Sequence, residues 1–178
     1  MSKPKSILDN KQLQIITNRL CHQLIENHND FSNTVLVGLQ PRGIFLSKRI
    51  KECLDSLIPD SNIECGNLDI TFYRDDFRRR DDILVPSKTK LNVSLEGKKV
   101  VLIDDVLFTG RTVRAALDAL HDFGRPIAVE LMVLIDRRLS RHVPIQPDYV
   151  GHTIDVVSEE RVTVEWGDSD RVILKTNE

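Results

Sequence analysis

A chain of 178 residues suits one domain with a sizeable core, since single cores commonly run to about 100–200 residues. Its 40% hydrophobic content excludes disordered and collagen-like classes, and 25 Lys+Arg against 27 Asp+Glu leave a net charge of −2, without the footprint of a dedicated nucleic-acid binder. No apolar run approaches the ~18 residues of a membrane span and nothing resembles a signal peptide, so the expectation is a cytoplasmic protein with no membrane partner. Cys21, Cys53 and Cys65 have no CxxC spacing and read as structural thiols in a reducing compartment, and the five histidines lack ligand spacing.

Asp9 followed by Gln12 reads as a helix-capping start, and Leu13, Ile16, Leu20 and Leu24 recur at helical spacing up to about Asn27. The apolar run 34–39 predicts a strand that ends in Gln40-Pro41-Arg42-Gly43, after which Ile44, Leu46, Ile50 and Leu54 predict a helix. Residues 68–73 alternate like a half-buried strand and run into a charged, aperiodic segment, about 74–90, expected to be a long loop. A continuous strand is predicted over 99–103, a helix through Val113, Ala116, Leu117 and Leu120, and another strand over 126–135. Strands alternating with helices predict an α/β fold with a mostly parallel central sheet flanked by helices. Beyond Asp148 the β-like pieces at 149–151 and 162–166, with no helix between them, read as a small flap on the sheet's edge.

The chemistry concentrates in residues 100–112, where a buried strand delivers Asp104 and Asp105 to its carboxyl end and Thr109-Gly110-Arg111-Thr112 turns into a helix. A helix start with open N–H groups, a glycine that permits close approach and two threonine hydroxyls make a phosphate cradle. Carboxylates just upstream suit the two hydroxyls of a vicinal diol, and a ribose 5-phosphate meets both demands. Paired acids also occur as helix caps and in receiver-domain metal pockets, but here they run directly into a phosphate turn.

This stretch resembles the phosphoribosyl pyrophosphate signature of type I phosphoribosyltransferases. Together with Tyr73-Arg74-Asp75-Asp76, Asp105 to Ala115 and Gly124-Arg125-Pro126, the chain resembles the PyrR family over residues 7–151. The resemblance implies a single type I phosphoribosyltransferase domain over 1–178, with a C-terminal hood mainly at 137–178 and a mobile active-site loop at about 74–90. It implies that Asp104 and Asp105 hold the ribose hydroxyls, with Asp105 also favouring oxocarbenium charge, that Thr109, Gly110, Arg111 and Thr112 enclose the 5-phosphate, and that Val106, Leu107 and Phe108 belong to the same ribose 5-phosphate site. Gln40, Pro41, Arg42 and Gly43 fall where the family binds pyrophosphate, Arg74 would approach the leaving group, and Mg²⁺ would accompany phosphoribosyl pyrophosphate with no assigned protein ligand. Tyr149 is expected to stack on the base and the Val150 backbone to bond its edge.

Phe108 stands where transferases for 6-oxopurines carry an aspartate, which favours uracil as acceptor over hypoxanthine or guanine, the alternative substrates. The family also implies homo-oligomers and a basic surface for a messenger RNA hairpin in transcription attenuation. Arg19 and His22 match that surface, whereas Gln146 and His152 depart from it. A regulator that binds RNA without catalysis is the alternative from a different class.

Overall fold

The computed structural model describes residues 4–75, 89–156 and 160–176. Strand β1 (Lys5–Leu8) leads into helix α1 (Asn10–His28) through the expected capping box. The Asp9 carboxylate accepts from Gln12 N at 2.8 Å, and the Gln12 side chain accepts from Asp9 N at 2.9 Å. Next come β2 (Thr34–Leu39), α2 (Gly43–Leu57), β3 (Glu64–Leu68), β4 (Lys99–Leu107), α3 (Arg111–Leu120), β5 (Ala128–Arg138), β6 (Tyr149–Asp155), β7 (Glu160–Glu165) and β8 (Arg171–Thr176).

Five strands form a parallel sheet in the order β3-β2-β4-β5-β6. Helices α1 and α2 cover one face, where Leu13, Leu20, Leu24, Leu46, Ile50 and Leu54 meet Leu36, Val101 and Ile103. Helix α3 covers the other, setting Val113, Ala116 and Leu120 against Val100 and Leu102. Burial on both faces explains why the central strands are continuously apolar. Each such side chain contributes about 1.5–3 kcal/mol, so the two middle strands carry much of the stability.

The sheet's carboxyl end is roofed by a smaller antiparallel sheet in the order β1-β8-β7. Trp166 fastens it to α2, stacked on Phe45 with centroids 6.2 Å apart and with the Arg49 guanidinium 5.5 Å from its own centroid. Arg49 also donates to the Asp170 carboxylate, holding it below the usual carboxylate range against the upward pull of burial.

Two expectations need correction. The strand expected over 68–73 instead ends at Leu68, because β3 runs in register with β2 up to Leu39. Asp69 then accepts from Thr71 N at 2.8 Å and turns the chain into a single 3₁₀ turn, Thr71–Tyr73. Phe72 is 66% exposed, so the alternation there marks no buried face. The second correction concerns the tail: β6 is a strand of the main sheet, parallel to β5, and the hood is built from β7, β8 and the N-terminal β1. Residues 139–148 make this parallel crossover without a helix. Asp148 replaces that scaffold by docking on β5, donating its N–H to the Leu131 carbonyl and accepting Leu131 N–H on its carboxylate, both at 2.8 Å. Most of the loop expected at about 74–90, residues 76–88, lies outside the described residues.

Candidate active site

Strand β4 ends four residues later than its apolar run, and that extension carries the two acids into the crevice beneath the hood. Strand alternation sends neighbouring side chains to opposite faces, so Asp104 turns toward α3 and Asp105 toward α2 and the hood. Asp104 is 8% exposed and accepts from Asp105 N at 2.9 Å. Burial, and then the charge of Asp105, push its carboxyl up to about 8. Burial also raises the Asp105 carboxyl, and the Arg42 guanidinium opposes that by donating from Nε to Oδ2 at 2.8 Å. Arg42 donates in addition to the Val164 carbonyl, so one cation ties the acid to the roof.

Arg42 sits just before α2, after a cis peptide between Gln40 and Pro41. Gly43 opens the helix so close to β4 that a Cβ there would lie 2.3 Å from the Ile103 carbonyl oxygen and 3.0 Å from Asp104 Cα. The helix start thus abuts the two acids, with no side chain capping its N–H groups.

The second helix start is built differently. Gly110 takes φ +86° and caps α3 without a side-chain bond, and a Cβ on it would meet Val143 Cγ2 at 2.7 Å. This turn is braced from behind by residues 141–145. His142 N and Val143 N donate to the Thr109 carbonyl at 3.0 and 3.3 Å. Arg141 donates to the carbonyls of Phe108, Arg137 and Ile145 and pairs with Asp136. In front, Asp75 pairs with Arg111 at 2.5 Å and with Arg114 at 3.3 Å.

Two cavities flank the end of β4. One, of about 260 Å³, is lined by Asp104, residues 106–113, Arg74 and Asp75. The other, of about 360 Å³, is lined by Arg42, Asp105, Arg137 and residues 160–163 of β7, and both share Val106 and Phe108. The structure therefore gathers Asp104, Asp105, Arg74, Arg42 and the 106–112 turn around one crevice. In the second cavity Arg137 lies over the Phe108 ring, Cζ 4.1 Å from the centroid, and donates to the Glu160 carbonyl at 3.0 Å. Burial pushes its guanidinium below the ordinary arginine value. Strand β7 is an edge strand whose Glu160 and Val164 carbonyls accept from Arg137 and Arg42. Val162 lies midway between them, so alternation puts its N–H and C=O along the same open edge.

Tyr149 and Val150 do not join this crevice. Tyr149 is 3% exposed and packs toward α1, its hydroxyl donating to Glu130 Oε2 at 2.6 Å and accepting from Asn27 Nδ2 at 2.9 Å. With its ring enclosed in the core, a base has no access to either face. The Val150 and Gly151 carbonyls accept from Arg19 Nη2 at 3.2 and 2.6 Å, so the first helix uses Arg19 to hold the edge of β6. His22 is exposed on α1. Sequence reasoning gave Arg137, Arg141 and the β7 edge no place in this crevice. The signal for Arg137 was a charge ending an apolar strand at the carboxyl edge of the sheet.

A phosphoribosyl transferase domain model matches residues 4–166. The chain is 42% identical over 173 residues to the bifunctional protein PyrR of Bacillus cereus, covering 96% of this chain and 95% of that protein. It is 43% identical over 178 residues to the bifunctional protein PyrR of Caldicellulosiruptor bescii, covering 98% and 97%. The chain belongs to the PyrR family of phosphoribosyltransferases. The type I fold of the family is shared with a hypoxanthine phosphoribosyltransferase of Staphylococcus aureus, at TM-score 0.67 and 22% identity over 85% of this chain and 78% of that one. In this phosphoribosyltransferase the starts of α2 and α3 lie beyond the carboxyl ends of the parallel strands, the place where open α/β sheets bind ligands. No helix among the described residues is long and apolar enough to cross a membrane.

Proposed function

We infer that the protein transfers the 5-phosphoribosyl group of phosphoribosyl pyrophosphate to N1 of uracil, giving uridine monophosphate and pyrophosphate. The observation that carries this reading is the pair of joined cavities: a main-chain cradle beside Asp104, and a slot bounded by a guanidinium and a strand edge. Phe108 separates them where 6-oxopurine transferases have a carboxylate. In this reading the α3 start takes the 5-phosphate and the two acids accept from the ribose hydroxyls. Residues 40–43, with Arg42 as the cation, take the pyrophosphate.

As the bond from C1 to pyrophosphate lengthens, positive charge grows on the ribose and Asp105 stabilises it. N1 then bonds to C1 as the bond to pyrophosphate breaks, and the N1 proton passes to the released pyrophosphate or to water. Arg74, at the mouth of the sugar cavity, would pair with the leaving group. The slot under the hood takes the base in place of Tyr149 and Val150. The Val162 N–H and C=O match adjacent acceptor and donor groups of uracil.

The donor set fits Mg²⁺ carried by the substrate. Asp104 and Asp105 offer hard carboxylate oxygen beside the proposed diol site. Bound there, the ion would neutralise pyrophosphate charge.

The second activity is binding of a messenger RNA hairpin to control pyrimidine operons, supported by the bifunctional name of the relatives. A basic face completed by a partner subunit would carry it, with His22 on the outer side of α1, in a homo-oligomer in the cytoplasm. Product formation from uracil, hypoxanthine and guanine with phosphoribosyl pyrophosphate, with and without Mg²⁺, tests the first activity. Uridine monophosphate that requires Mg²⁺ is expected. Preference for a purine would assign the alternative acceptor, and no nucleotide product would leave the regulator alone. RNA retention should fall steeply with salt while turnover with uracil changes little.

A further inference from the structure

We propose that Cys21 and Cys53 are a redox pair, which a small-molecule disulfide such as oxidised glutathione closes into a cross-link stapling α1 to α2. Both helices lie on one face of the parallel sheet, and neither cysteine lines the crevice. The Cys21 thiol donates to the Ile50 carbonyl at 3.7 Å, and the Cys53 thiol donates to Asn18 Oδ1 at 3.9 Å. Ile50 stands one turn before Cys53, and Asn18 one turn before Cys21. Each thiol therefore crosses to the turn that leads into the other. The two sulfurs meet between the helices, in contact with one another.

Packing alone does not ask for two thiols at one helix crossing, since a free cysteine serves a core as a small apolar side chain. The pair is also unequal in exposure. Cys21 is 0% exposed, whereas Cys53 is half-buried at the margin of the core. Burial, and then the neighbouring Cys53, push the Cys21 thiol up, so a dissolved oxidant neither reaches it nor finds it ionised. Cys53 is the thiol such an oxidant meets first. Cys65 stands apart on β3, where its thiol donates to the Ile63 carbonyl.

The Cys53 thiolate attacks one sulfur of glutathione disulfide, forming a mixed disulfide and expelling one glutathione, which takes up a proton. Cys21 then gives up its proton and attacks the Cys53 sulfur, and the second glutathione leaves as a thiol. Two protein thiols become one disulfide, and one glutathione disulfide becomes two thiols. The cross-link closes the chain between the two helices in the unfolded ensemble as well, which favours the folded state.

The test incubates the fully reduced, folded protein with oxidised glutathione, alkylates the remaining thiols and maps the disulfides by peptide mass. The folded protein is expected to lose two hydrogens, to join the peptides of Cys21 and Cys53, and to melt roughly 5–10 °C higher until dithiothreitol restores the original value. In urea the preference should change to Cys53 with Cys65, the pair nearer in sequence, because a shorter loop closes more readily. Cys21→Ala should stop at one glutathione on Cys53, and Cys53→Ala should leave Cys21 reduced. Folded wild-type protein that joins Cys53 to Cys65, halts at the Cys53 adduct or keeps both thiols unreacted overturns the pair. A Cys21–Cys53 bond that leaves the melting temperature unchanged or lowers it overturns the staple.

Discussion

The two halves of the crevice are built by opposite means. The half proposed for the sugar phosphate is local, with Asp104, Asp105 and the turn through Thr112 following one another in the chain, and the groups it offers are largely backbone N–H. The half proposed for the base is assembled from the ends of β4, β5 and β7, with Phe108, Arg137 and Val162 separated by long stretches of chain. Main-chain donors at a helix start need only a glycine and the right turn, so a short motif suffices. A planar base needs side chains and a strand edge arriving from different directions, which no short stretch of sequence can provide.

Substitutions should sort by half, and the largest effect is expected where the halves meet. Asp105→Asn keeps the shape of the residue but removes the negative charge beside the ribose. A fall in turnover on the order of 100-fold is expected, with little change in melting temperature. Unchanged kinetics would remove Asp105 from the charge-stabilising role. Gly110→Ala should act on the phosphate half alone. At φ +86° and with Val143 Cγ2 2.7 Å from the added methyl, it should cost about 1–2 kcal/mol of stability and raise KM for phosphoribosyl pyrophosphate with KM for uracil preserved. Both constants rising equally would mean the halves are not separable.

Asp104→Asn tests the electrostatic cost of the local half. The folded protein holds the Asp104 proton to about pH 8, whereas an unfolded chain releases it near 3.8, so the folded state binds more protons between those values. Stability from this group is therefore lost as pH rises through that window. Asparagine cannot ionise, and its oxygen can still accept from Asp105 N. The variant should melt higher than the wild type, by a gap that widens from pH 4 to pH 8, with roughly 2–4 °C for each kcal/mol. A gap independent of pH would contradict the raised carboxyl.

Tyr149→Phe sharpens the boundary of the base half. Losing the hydroxyl that bonds Glu130 and Asn27 should cost about 1–2 kcal/mol in denaturant titrations, while KM for uracil stays at the wild-type value. The smallest effect belongs to Asp75→Asn. This carboxylate lies against Arg111 and Arg114 at the mouth of the phosphate half, and half-exposed pairs contribute only about 0.2–1 kcal/mol. Freeing the two arginines should lower KM for phosphoribosyl pyrophosphate by about two- to threefold.

Much of the fold was legible because its signals are local. The capping box at Asp9, the buried runs of β2 and β4 and the periodicity of α3 each report a neighbourhood of a few residues. Residues 68–73 misled for the same reason, since apolar alternation cannot show that the partner strand stops at Leu39. The β6 segment misled because a parallel crossover without a helix is rare, and Asp148 anchors it through bonds to a residue of another strand. Tyr149 looked like a base platform only while its neighbours were unknown. Glu130 and α1 enclose it, and their approach is a property of the packed sheet.

The chain order alone therefore determined the parallel α/β class, the acid pair at a strand end and the glycine turn into α3, because adjacent residues and hydrogen-bond periodicity dictate them. Folding decided what lies across from that turn: Arg42 locked to Asp105, Arg141 behind Thr109, Arg137 over Phe108 and the edge of β7 above. Those contacts join segments remote in the chain, and burial sets their charges and partners only once sheet, helices and hood have closed around them.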